Sequence, residues 1–469
     1  MNLTQGASRA ISVRAISRAG AGLVALLCLL AFVRSVSAQA DPAARAAASL
    51  NEPRIRVVVL TDFPPLDVTM NSGPAHKRSD PDDLQSMVRF LLYANEFEVE
   101  GLVASSATFA NIANKQNLLD ILDRYDAIDE KLRQHDKRFP AAAQLRSVTW
   151  QGRSGTWGKP WPEIIGVGRD SEASEKIIAL LERPDSRPIW FCVWGGSCDL
   201  AQALWKIKET HTTAEADRLL AKVRVYLIAF QDGSGQWLLD TFPDLFVIAA
   251  KETWMGMFGS SDLAWVNANV RNDHGPLSAV YPTVAMGTAP GVKEGDTPSF
   301  LHLVSAARGL NDSEQPDQPS WGGQFVRLAS GRNHWTDHPS GGQTVRLWSK
   351  AFDNDFAARL DWCVKDFKEA NHAPVVGLQG DAKREVKVGE VVKLAATATD
   401  PDGNQLTCKW RQAPDSAGPK VAIANAGSLD KASFVAPDEP GKQVHIILEV
   451  TDNGTPPLVG YQHVVCRIK

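Results

Sequence analysis

The sequence has little of several features that would indicate a particular class of protein. It contains only 5 Tyr and 6 Cys among 469 residues, and its formal net charge is −4. A net charge this small gives no reason to expect binding to a nucleic acid polymer. The sequence also lacks a GxSxG nucleophile elbow, a phosphate-binding loop and a dinucleotide fingerprint. Serine hydrolases, kinases and dehydrogenases are therefore not indicated.

Cysteine is scarce, and no pair of cysteines has the spacing of a zinc finger. Cys28 lies in the N-terminal apolar run, and five other cysteines follow it: Cys192, Cys198, Cys363, Cys408 and Cys466. In an oxidising compartment two pairings are open, Cys408 with Cys466 and Cys192 with Cys198. Cys363 would then stay unpaired.

The first 39 residues have the pattern of a cleaved signal peptide. Arg9, Arg14 and Arg18 precede an apolar run at 21–33, and small residues follow at 37–40. The run is shorter than the roughly 20 apolar residues of a membrane span and is followed by a charged residue, which disfavours a membrane anchor. The pattern predicts export, with the mature protein periplasmic or secreted.

The region 52–370 alternates short apolar runs with amphipathic segments. The run 56–60 predicts a buried strand, and apolar residues then recur every three or four positions from Leu84 to Leu92. Further strands are predicted at 99–104, 189–193, 223–230 and 245–249, with helices at 117–125 and 200–207. This alternation predicts an α/β domain with a mostly parallel sheet and helices on both faces. In such sheets, ligands bind beyond the carboxyl ends of the strands.

Beyond a linker at 371–374, the pattern changes to short β-strands separated by turn signals such as Asp400-Pro401-Asp402-Gly403. This region, 373–469, is predicted to form an all-β, immunoglobulin-like sandwich of seven strands.

Carboxylates are concentrated between the first strand and the first helix. Asp62 ends the strand, and Asp80, Asp82 and Asp83 lie just before or at the start of the helix. Carboxylates this close together repel one another unless a cation or a helix N-terminus balances their charge. Ca²⁺ takes six to eight oxygen ligands, so the loop is a candidate calcium site. The alternative is an acidic N-cap on a solvated loop.

The Thr61-Asp62 end of the first strand, the Asp82-Asp83 pair that opens a helix, and the strand that follows resemble the N-terminal signature of the inosine-uridine nucleoside hydrolases. The whole chain is more similar to the bacterial cellulose-binding-protein family, which has a nucleoside-hydrolase-like domain and a separate C-terminal domain. The segments that carry the resemblance are SDPDDLQSMVRFLLYANEFEVEGLVASS, VWGGSCDLAQALW, QDGSGQW, FPDLF, KEGDTPSFL and WGGQFVRL. The resemblance implies the nucleoside-hydrolase-like fold and a calcium ion.

The resemblance also implies roles for individual residues. The calcium ligands would be Asp62 or Asp80, then Asp83, a main-chain carbonyl near Cys198, and Asp296, while Asp82 would hold the sugar. The insertion 63–79 leaves the choice between Asp62 and Asp80 open. The family's asparagine-rich ribose segment is not recognisable, and one open interpretation is that Asp232 in the segment 232–235 replaces it. If the resemblance is set aside, Asp296 is interpreted as a turn or cap residue.

The implied chemistry is hydrolysis of a glycosidic bond by a calcium-bound water, with Asp62 or Asp80 accepting its proton. His274 is a candidate acid for the leaving group, because histidine titrates near neutral pH. The alternative is a loop histidine with only structural hydrogen bonds.

Tryptophan is abundant, with 14 residues. Some of them lie in Gly- or Pro-rich loops, which favours exposed rings that stack on sugars. These are Trp157, Trp161, Trp194, Trp237 and Trp321, of which Trp194 and Trp237 are the candidate substrate contacts. The alternative is that they belong to the hydrophobic core.

The leading hypothesis is an exported, calcium-dependent hydrolase of N-glycosidic or related small glycosides. The alternative keeps the fold and removes catalysis, so that the protein binds cellulose or another polysaccharide. A third hypothesis is a surface adhesion protein that uses residues 373–469. Assembly into a homo-oligomer stays open.

Overall fold

The computed structural model describes residues 53–69, 74–106, 111–283, 290–329, 331–414 and 418–469. The predicted signal peptide, 1–39, lies outside these residues. The segment Glu52–Lys469 forms one compact unit. No helix in the described ranges is long and apolar enough to cross a membrane.

An eight-stranded sheet forms the centre of the N-terminal lobe, with strand order β3-β2-β1-β4-β5-β6-β8-β7. The strands are β1 (Ile55–Thr61), β2 (Phe97–Ala104), β3 (Thr149–Gln151), β4 (Ile189–Val193), β5 (Val223–Ile228), β6 (Phe246–Ala250), β7 (Phe325–Arg327) and β8 (His334–Asp337). All neighbouring pairs are parallel except β7 and β8, which are antiparallel. The predicted mostly parallel sheet is confirmed.

The central strand β1 is buried on both faces, which explains its unbroken apolar run. Val57 and Val59 belong to one hydrophobic cluster, whereas Val58 and Leu60 belong to another. Successive side chains of a strand point to opposite faces, so these two clusters are the cores above and below the sheet.

The helices cover both faces of this sheet. They are α1 (Asp82–Leu92), α2 (Lys115–Asp126), α3 (Asp129–His135), α4 (Ala142–Ser147), α5 (Trp161–Ile164), α6 (Glu172–Glu182), α7 (Cys198–Thr210), α8 (Thr213–Leu220), α9 (Gly233–Thr241), α10 (Leu263–Val266), α11 (Gly275–Ala279), α12 (Thr297–Ala307), α13 (Gln343–Arg346) and α14 (Ser349–Trp362). Short 3₁₀ segments lie at Ala75–Lys77, Ala94–Glu96, Thr253–Met257 and Phe367–Glu369, and a π-helical turn lies at Asn267–Arg271.

The C-terminal lobe is made of short strands around its own core. Its strands are β9 (Val375–Leu378), β10 (Lys383–Val386), β11 (Val391–Leu394), β12 (Ala396–Thr399), β13 (Thr407–Gln412), β14 (Ala432–Val435), β15 (Gln443–Thr451) and β16 (Val459–Ile468). A four-stranded sheet has the order β10-β16-β15-β13, and two-stranded sheets pair β11 with β14 and β12 with β9. The described residues of the C-terminal lobe therefore contain eight strands where the sequence predicts seven, and the first of them, β9, begins directly after the linker.

The two lobes share aromatic contacts. Tyr461 on β16 packs edge-on against Trp321 and Trp348 of the N-terminal lobe, with ring centroids 6.0 Å apart in both pairs. The Trp362 indole N–H donates to the backbone carbonyl of Asn371 at 2.9 Å, which fixes the linker. The sandwich is therefore packed onto the N-terminal lobe and is not a separate module on a free tether.

Neither disulfide pairing left open by the sequence is formed, and all five described cysteines are free. Cys192 and Cys198 belong to the hydrophobic clusters on opposite faces of the central sheet. Cys408 lies on β13 and Cys466 on β16, and β15 separates these strands in the sheet. The sheet geometry thus keeps both pairs apart.

Candidate metal centre

Three helix and strand ends bring four carboxylates together at the carboxyl edge of the sheet. Asp62 follows β1, Asp82 and Asp83 are the first residues of α1, and Asp296 occupies the N-cap position of α12. Asp82, Asp83 and Asp296 each place a carboxylate oxygen within 4.8 Å of the other two. The predicted ligands Asp83 and Asp296 and the predicted sugar contact Asp82 therefore lie in one cluster.

Hydrogen bonds from α1 hold the two halves of this cluster in register. The Gln85 side-chain carbonyl accepts from the Lys293 amide at 2.7 Å, and its amino group donates to the Gly291 carbonyl at 3.2 Å. These bonds fix the segment that leads to Asp296. A Cβ atom on Gly295 would lie 2.4 Å from Asp82 Oδ2, so only glycine permits this close approach of backbone to carboxylate.

The four carboxylates are buried, and their charges have no protein partner. Both oxygens of Asp62 and the Oδ2 atom of Asp296 lack a hydrogen-bond partner. Asp83 accepts a short hydrogen bond from the Thr61 hydroxyl. No lysine, arginine or histidine among the described residues forms an ion pair with any of the four. Native proteins rarely leave buried polar atoms in this state, so the cluster requires an explanation.

Burial is the main cause of the raised pKa values in this cluster. It raises the pKa of Asp62, Asp82 and Asp296 well above the usual range, and repulsion from the neighbouring carboxylates raises each pKa further. Burial also raises the pKa of Asp83, to about 7, against the hydrogen bond from Thr61. The protein alone therefore does not stabilise four negative charges here.

The donor set fits a hard divalent cation. All four residues offer carboxylate oxygens, which are the ligands that Ca²⁺ and Mg²⁺ prefer. Orphaned oxygens on Asp62 and Asp296 are free to coordinate, and the N-termini of α1 and α12 add only partial positive charge. A bound cation would satisfy both the hydrogen-bonding and the electrostatic deficit.

Asp80 lies at the rim of the cluster. It is only partly buried, and one of its oxygens lies 3.5 Å from the Asp82 amide. Burial also raises the pKa of Asp80. Asp62 is the more enclosed of the two candidates that the sequence could not separate.

The described part of the insertion packs as a loop, with Phe63 buried and its carbonyl accepting from the Asn117 side chain at 3.0 Å.

A double glycine connects this cluster to a fifth carboxylate. The amides of Trp194 and Gly195 donate to the Leu60 carbonyl at 2.7 and 3.3 Å, which seats the segment after β4 beside β1. A Cβ atom on Gly195 would lie 2.9 Å from Asp62 Oδ1, and one on Gly196 would lie 2.7 Å from Asp232 Oδ2. Asp232 therefore lies at the same edge of the sheet as the acidic cluster.

Asp232 is the N-cap of α9. Its Oδ1 atom accepts from the Ser234 amide at 2.9 Å and from the Ser234 hydroxyl, whereas its Oδ2 atom has no partner. Burial raises the pKa of Asp232, against hydrogen bonds from Ser234. One oxygen thus caps the helix, and the role of Asp232 as a substrate contact stays a prediction.

The structure does not bring His274 to these carboxylates. Its Nε2 atom lies 3.4 Å from Asp361 near the end of α14, and the adjacent Gly275 lies next to Ile128 and Val364. Ile128 follows the C-terminal end of α2, which is at the amino edge of the sheet. This position fits the alternative interpretation, in which His274 is a loop histidine with only structural contacts.

Two of the predicted tryptophan contacts lie in the core. Trp194 is 0% exposed, and its indole N–H donates to Ser299 at 2.8 Å. Trp237 is 8% exposed, lies within α9 and packs edge-on against Phe242. Trp321 is also buried, whereas Trp157 and Trp161 are 46% and 44% exposed. The expectation of exposed rings therefore fits only Trp157 and Trp161.

Cys198 is the first residue of α7, and its thiol is buried 3.7 Å from Asp199. Sequence reasoning named the carbonyl near this residue as a ligand, and this stays a prediction. It did not find Ser105 and Ser106, which follow β2 at the same edge. The Ser105 hydroxyl is buried without a partner and would lie 2.7 Å from a Cβ atom on Gly195. The sequence signal that could have found these two serines is their position directly after the predicted strand 99–104.

Comparison with known proteins agrees with this geometry. Residues 75–325 match the family profile described as cellulose-binding Sde182, nucleoside hydrolase-like domain. The chain belongs to this family. Residues 391–468 match the profile of the C-terminal domain of the cellulose-binding protein Sde0182. The cellulose-binding family that the sequence resembles is thereby confirmed.

A solved structure supports the Sde182 assignment over nearly the whole chain. It is a nucleoside hydrolase-related protein from Saccharophagus degradans, described as associated with carbohydrate metabolism. The identity is 33%, the TM-score is 0.76, and the match covers 89% of this chain and 100% of that one. A PKD domain matches 20% of this chain and 86% of its own, with 14% identity and a TM-score of 0.16. The titin M3 domain matches 20% of this chain and 96% of its own, with 22% identity and a TM-score of 0.14. Both similarities are too low to carry an argument. No curated protein matches the chain.

Proposed function

We propose that this protein is an exported, calcium-dependent hydrolase of N-glycosidic or related small glycosides. The observation that supports the proposal is the set of four buried carboxylates with no cationic partner among the described residues. A purely structural cluster of this kind would cost free energy without return, because buried charges are normally paired. Membership of a nucleoside-hydrolase-like family supports hydrolysis of a glycosidic bond as the proposed reaction.

In this proposal the cluster divides into two roles. Asp62, Asp83 and Asp296 hold the cation, and the Thr61 hydroxyl fixes the orientation of Asp83. Asp82, next to Asp83 on the first turn of α1, accepts hydroxyl groups of the sugar. A bound Ca²⁺ supplies an oriented, more acidic water for attack on the anomeric carbon.

The protein groups that handle the proton follow from the same positions. Asp62 has two buried oxygens without partners, so it is placed to accept a proton from an attacking water. Asp80 at the rim is the second candidate base. His274 is not in reach of these groups, so departure of the leaving group does not rely on it.

Two linked measurements test the proposal. Trp254 lies 3.5 Å from the position of a Cβ atom on Gly295, so it should sensitise luminescence of Tb³⁺ bound in place of Ca²⁺. We expect Ca²⁺ to displace this signal, and Asp83→Asn to abolish it. Hydrolysis of nitrophenyl riboside and a panel of nucleosides should require Ca²⁺ and fall by about 100-fold or more in Asp83→Asn.

Asp129→Asn is the matched control for this experiment. Asp129 is also a buried aspartate, but it lies at the start of α3 and accepts from Arg133 and from the Ala142 amide. It should retain both the Tb³⁺ signal and the activity. Bound calcium without hydrolysis of any substrate would contradict the enzymatic proposal.

That result would favour a second candidate function, binding of a polysaccharide without catalysis. The cellulose-binding description of the family motivates it. In this case retention on cellulose should be the same for the wild type and for Asp83→Asn, because the acidic cluster would have no part in binding.

A further inference from the structure

Asp232 lies beside the acidic cluster, at the same edge of the sheet. This side chain is only 6% exposed, and its Oδ2 atom has no hydrogen-bond partner. A buried carboxylate oxygen without a partner is costly, and a ligand with a donor group would satisfy it. Because a carboxylate only accepts hydrogen bonds, the ligand at this point must donate them.

Gly196 packs directly against this oxygen. A Cβ atom at this position would lie 2.7 Å from Asp232 Oδ2 and 3.4 Å from Thr156 Oγ1. The preceding residue, Gly195, approaches Asp62 in the same way. Consecutive Cα atoms are about 3.8 Å apart, so the free oxygens of Asp62 and Asp232 lie within roughly 12 Å of each other. The two carboxylates therefore lie on either side of the same glycine pair.

The loop after β3 is hydrogen-bonded to the residues on either side of Asp232. The Gly158 amide donates to the Gln231 carbonyl at 3.1 Å, and the Gly233 amide donates to the Lys159 carbonyl at 2.9 Å. The Trp157 amide donates to the Asn111 side chain at 2.9 Å. The loop backbone is thus fixed on both sides of Asp232.

On this fixed backbone the indole rings of Trp157 and Trp161 stay 46% and 44% exposed. The ring of Trp161 packs at 6.1 Å against that of Trp237, so only part of its surface is used within the protein. Exposed indoles next to a buried acceptor combine an apolar platform with a site for hydroxyl groups. This is the chemistry that recognises a sugar ring, whose hydroxyls donate and whose C–H face is apolar.

We propose that Trp157, Trp161 and Asp232 form a subsite for a sugar ring beyond the scissile bond. The natural substrate would then be a glycoside whose leaving group is itself a saccharide. The location of the scissile bond rests on the proposed function, whereas binding of the sugar ring does not. A nucleobase is the competing occupant, since it would also stack on the indoles.

The test uses the full mature chain carrying Asp83→Asn, so that no ligand is hydrolysed. Calorimetric titration with cellotriose and xylotriose measures the Kd. We expect Trp157→Ala and Asp232→Asn each to raise the Kd of at least one trisaccharide about tenfold. Trp157→Phe keeps an aromatic face and should preserve most of the affinity. Phe367→Ala removes a partly exposed ring at the junction of the lobes and should change nothing.

The outcomes separate this proposal from the proposed function. Trisaccharide affinity that depends on Trp157 supports the subsite even if the wild type hydrolyses nothing. Trisaccharide affinity unchanged in both Trp157→Ala and Asp232→Asn, or no trisaccharide binding, overturns it. Tighter binding of adenosine than of either trisaccharide, lost in Trp157→Ala, assigns the platform to a nucleobase and also overturns it.

Discussion

Two groups of buried charges lie along the same helix. One has no cationic partner, and the other is paired with an arginine. At the first turn of α1, Asp82 and Asp83 meet Asp296 and have no cationic partner among the described residues. Two turns later on α1, Arg89 donates to Glu294 at 2.5 Å and to Asp353 at 2.9 Å. Tyr281 adds a hydrogen bond to Glu294 at 2.7 Å.

Glu294 and Asp296 are 0% and 3% exposed, so the contrast does not come from a difference in burial. At Glu294 the protein supplies an arginine and a tyrosine hydroxyl. At Asp296 one carboxylate oxygen is left without a partner, at the edge of the sheet that binds ligands in α/β proteins. This difference is the basis of the proposal that a cation from outside the chain binds here.

The strongest way to probe the paired group is Glu294→Gln. It leaves Arg89 buried with one charged partner removed, which should lower the free energy of unfolding by about 3–5 kcal/mol. Chemical denaturation of the calcium-free protein measures this loss. A loss below 1 kcal/mol would mean that the pair does not serve stability.

A third kind of buried group, neutral histidine, sharpens the contrast through pH. Burial lowers the pKa of His302 to about 4, and its ring contacts the Ser320 hydroxyl at 3.0 Å and the Ser313 carbonyl at 3.1 Å. The unfolded chain binds the proton near pH 6.5, so stability is lost as pH falls from about 6.5 toward 4. The loss should reach about 3 kcal/mol.

Denaturation curves at pH 7 and pH 4.5, compared between the wild type and His302→Gln, measure this contribution. The variant should show a smaller drop between the two pH values. Equal drops in both proteins would show that His302 is not the group responsible.

The unpaired group should respond to neutralisation in the opposite sense to Glu294. In calcium-free buffer at pH 8, Asp83→Asn removes one of several repelling buried charges and keeps an oxygen that can accept from Thr61. We expect the free energy of unfolding to rise by about 2 kcal/mol. Addition of Ca²⁺ should then stabilise the wild type but not the variant, as thermal melting would show. Destabilisation of the calcium-free variant would break the comparison.

An exposed ion pair gives the smallest effect and sets the baseline. Arg146 pairs with Asp123 at 2.7 Å on the surface of the N-terminal lobe, and Asp123 is largely exposed. Asp123→Asn should change the free energy of unfolding by less than about 1 kcal/mol, because solvent screens the pair. A change comparable to that of Glu294→Gln would remove burial as the explanation.

Most of the fold could be predicted because local pattern and burial agree. The apolar run 56–60 is central strand β1, and the predicted helix 117–125 lies within α2. The Asp82-Asp83 pair at a helix start gave the cluster, and the resemblance added Asp296. The insertion 63–79 hid the distinction between Asp62 and Asp80, which depends on how deeply each is enclosed.

Sequence position does not give the direction of a side chain, and two cases show this. Trp194 directly follows β4 beside two glycines, yet its ring is packed against Phe90 and Phe300. Cys192 and Cys198 are six residues apart and still point to opposite faces of the sheet. The position of His274 has a different cause, because its whole loop lies at the edge of the sheet away from the carboxylates.

The contact of Tyr461 with Trp321 and Trp348 bears on how the molecule unfolds. Tyr461, Ala413 and Ile447 of the sandwich belong to the same hydrophobic cluster as the helices of the N-terminal lobe. Removing the sandwich would therefore open part of that cluster to water. The two lobes should melt in a single cooperative transition, so the architecture behaves as one thermodynamic unit with two folds.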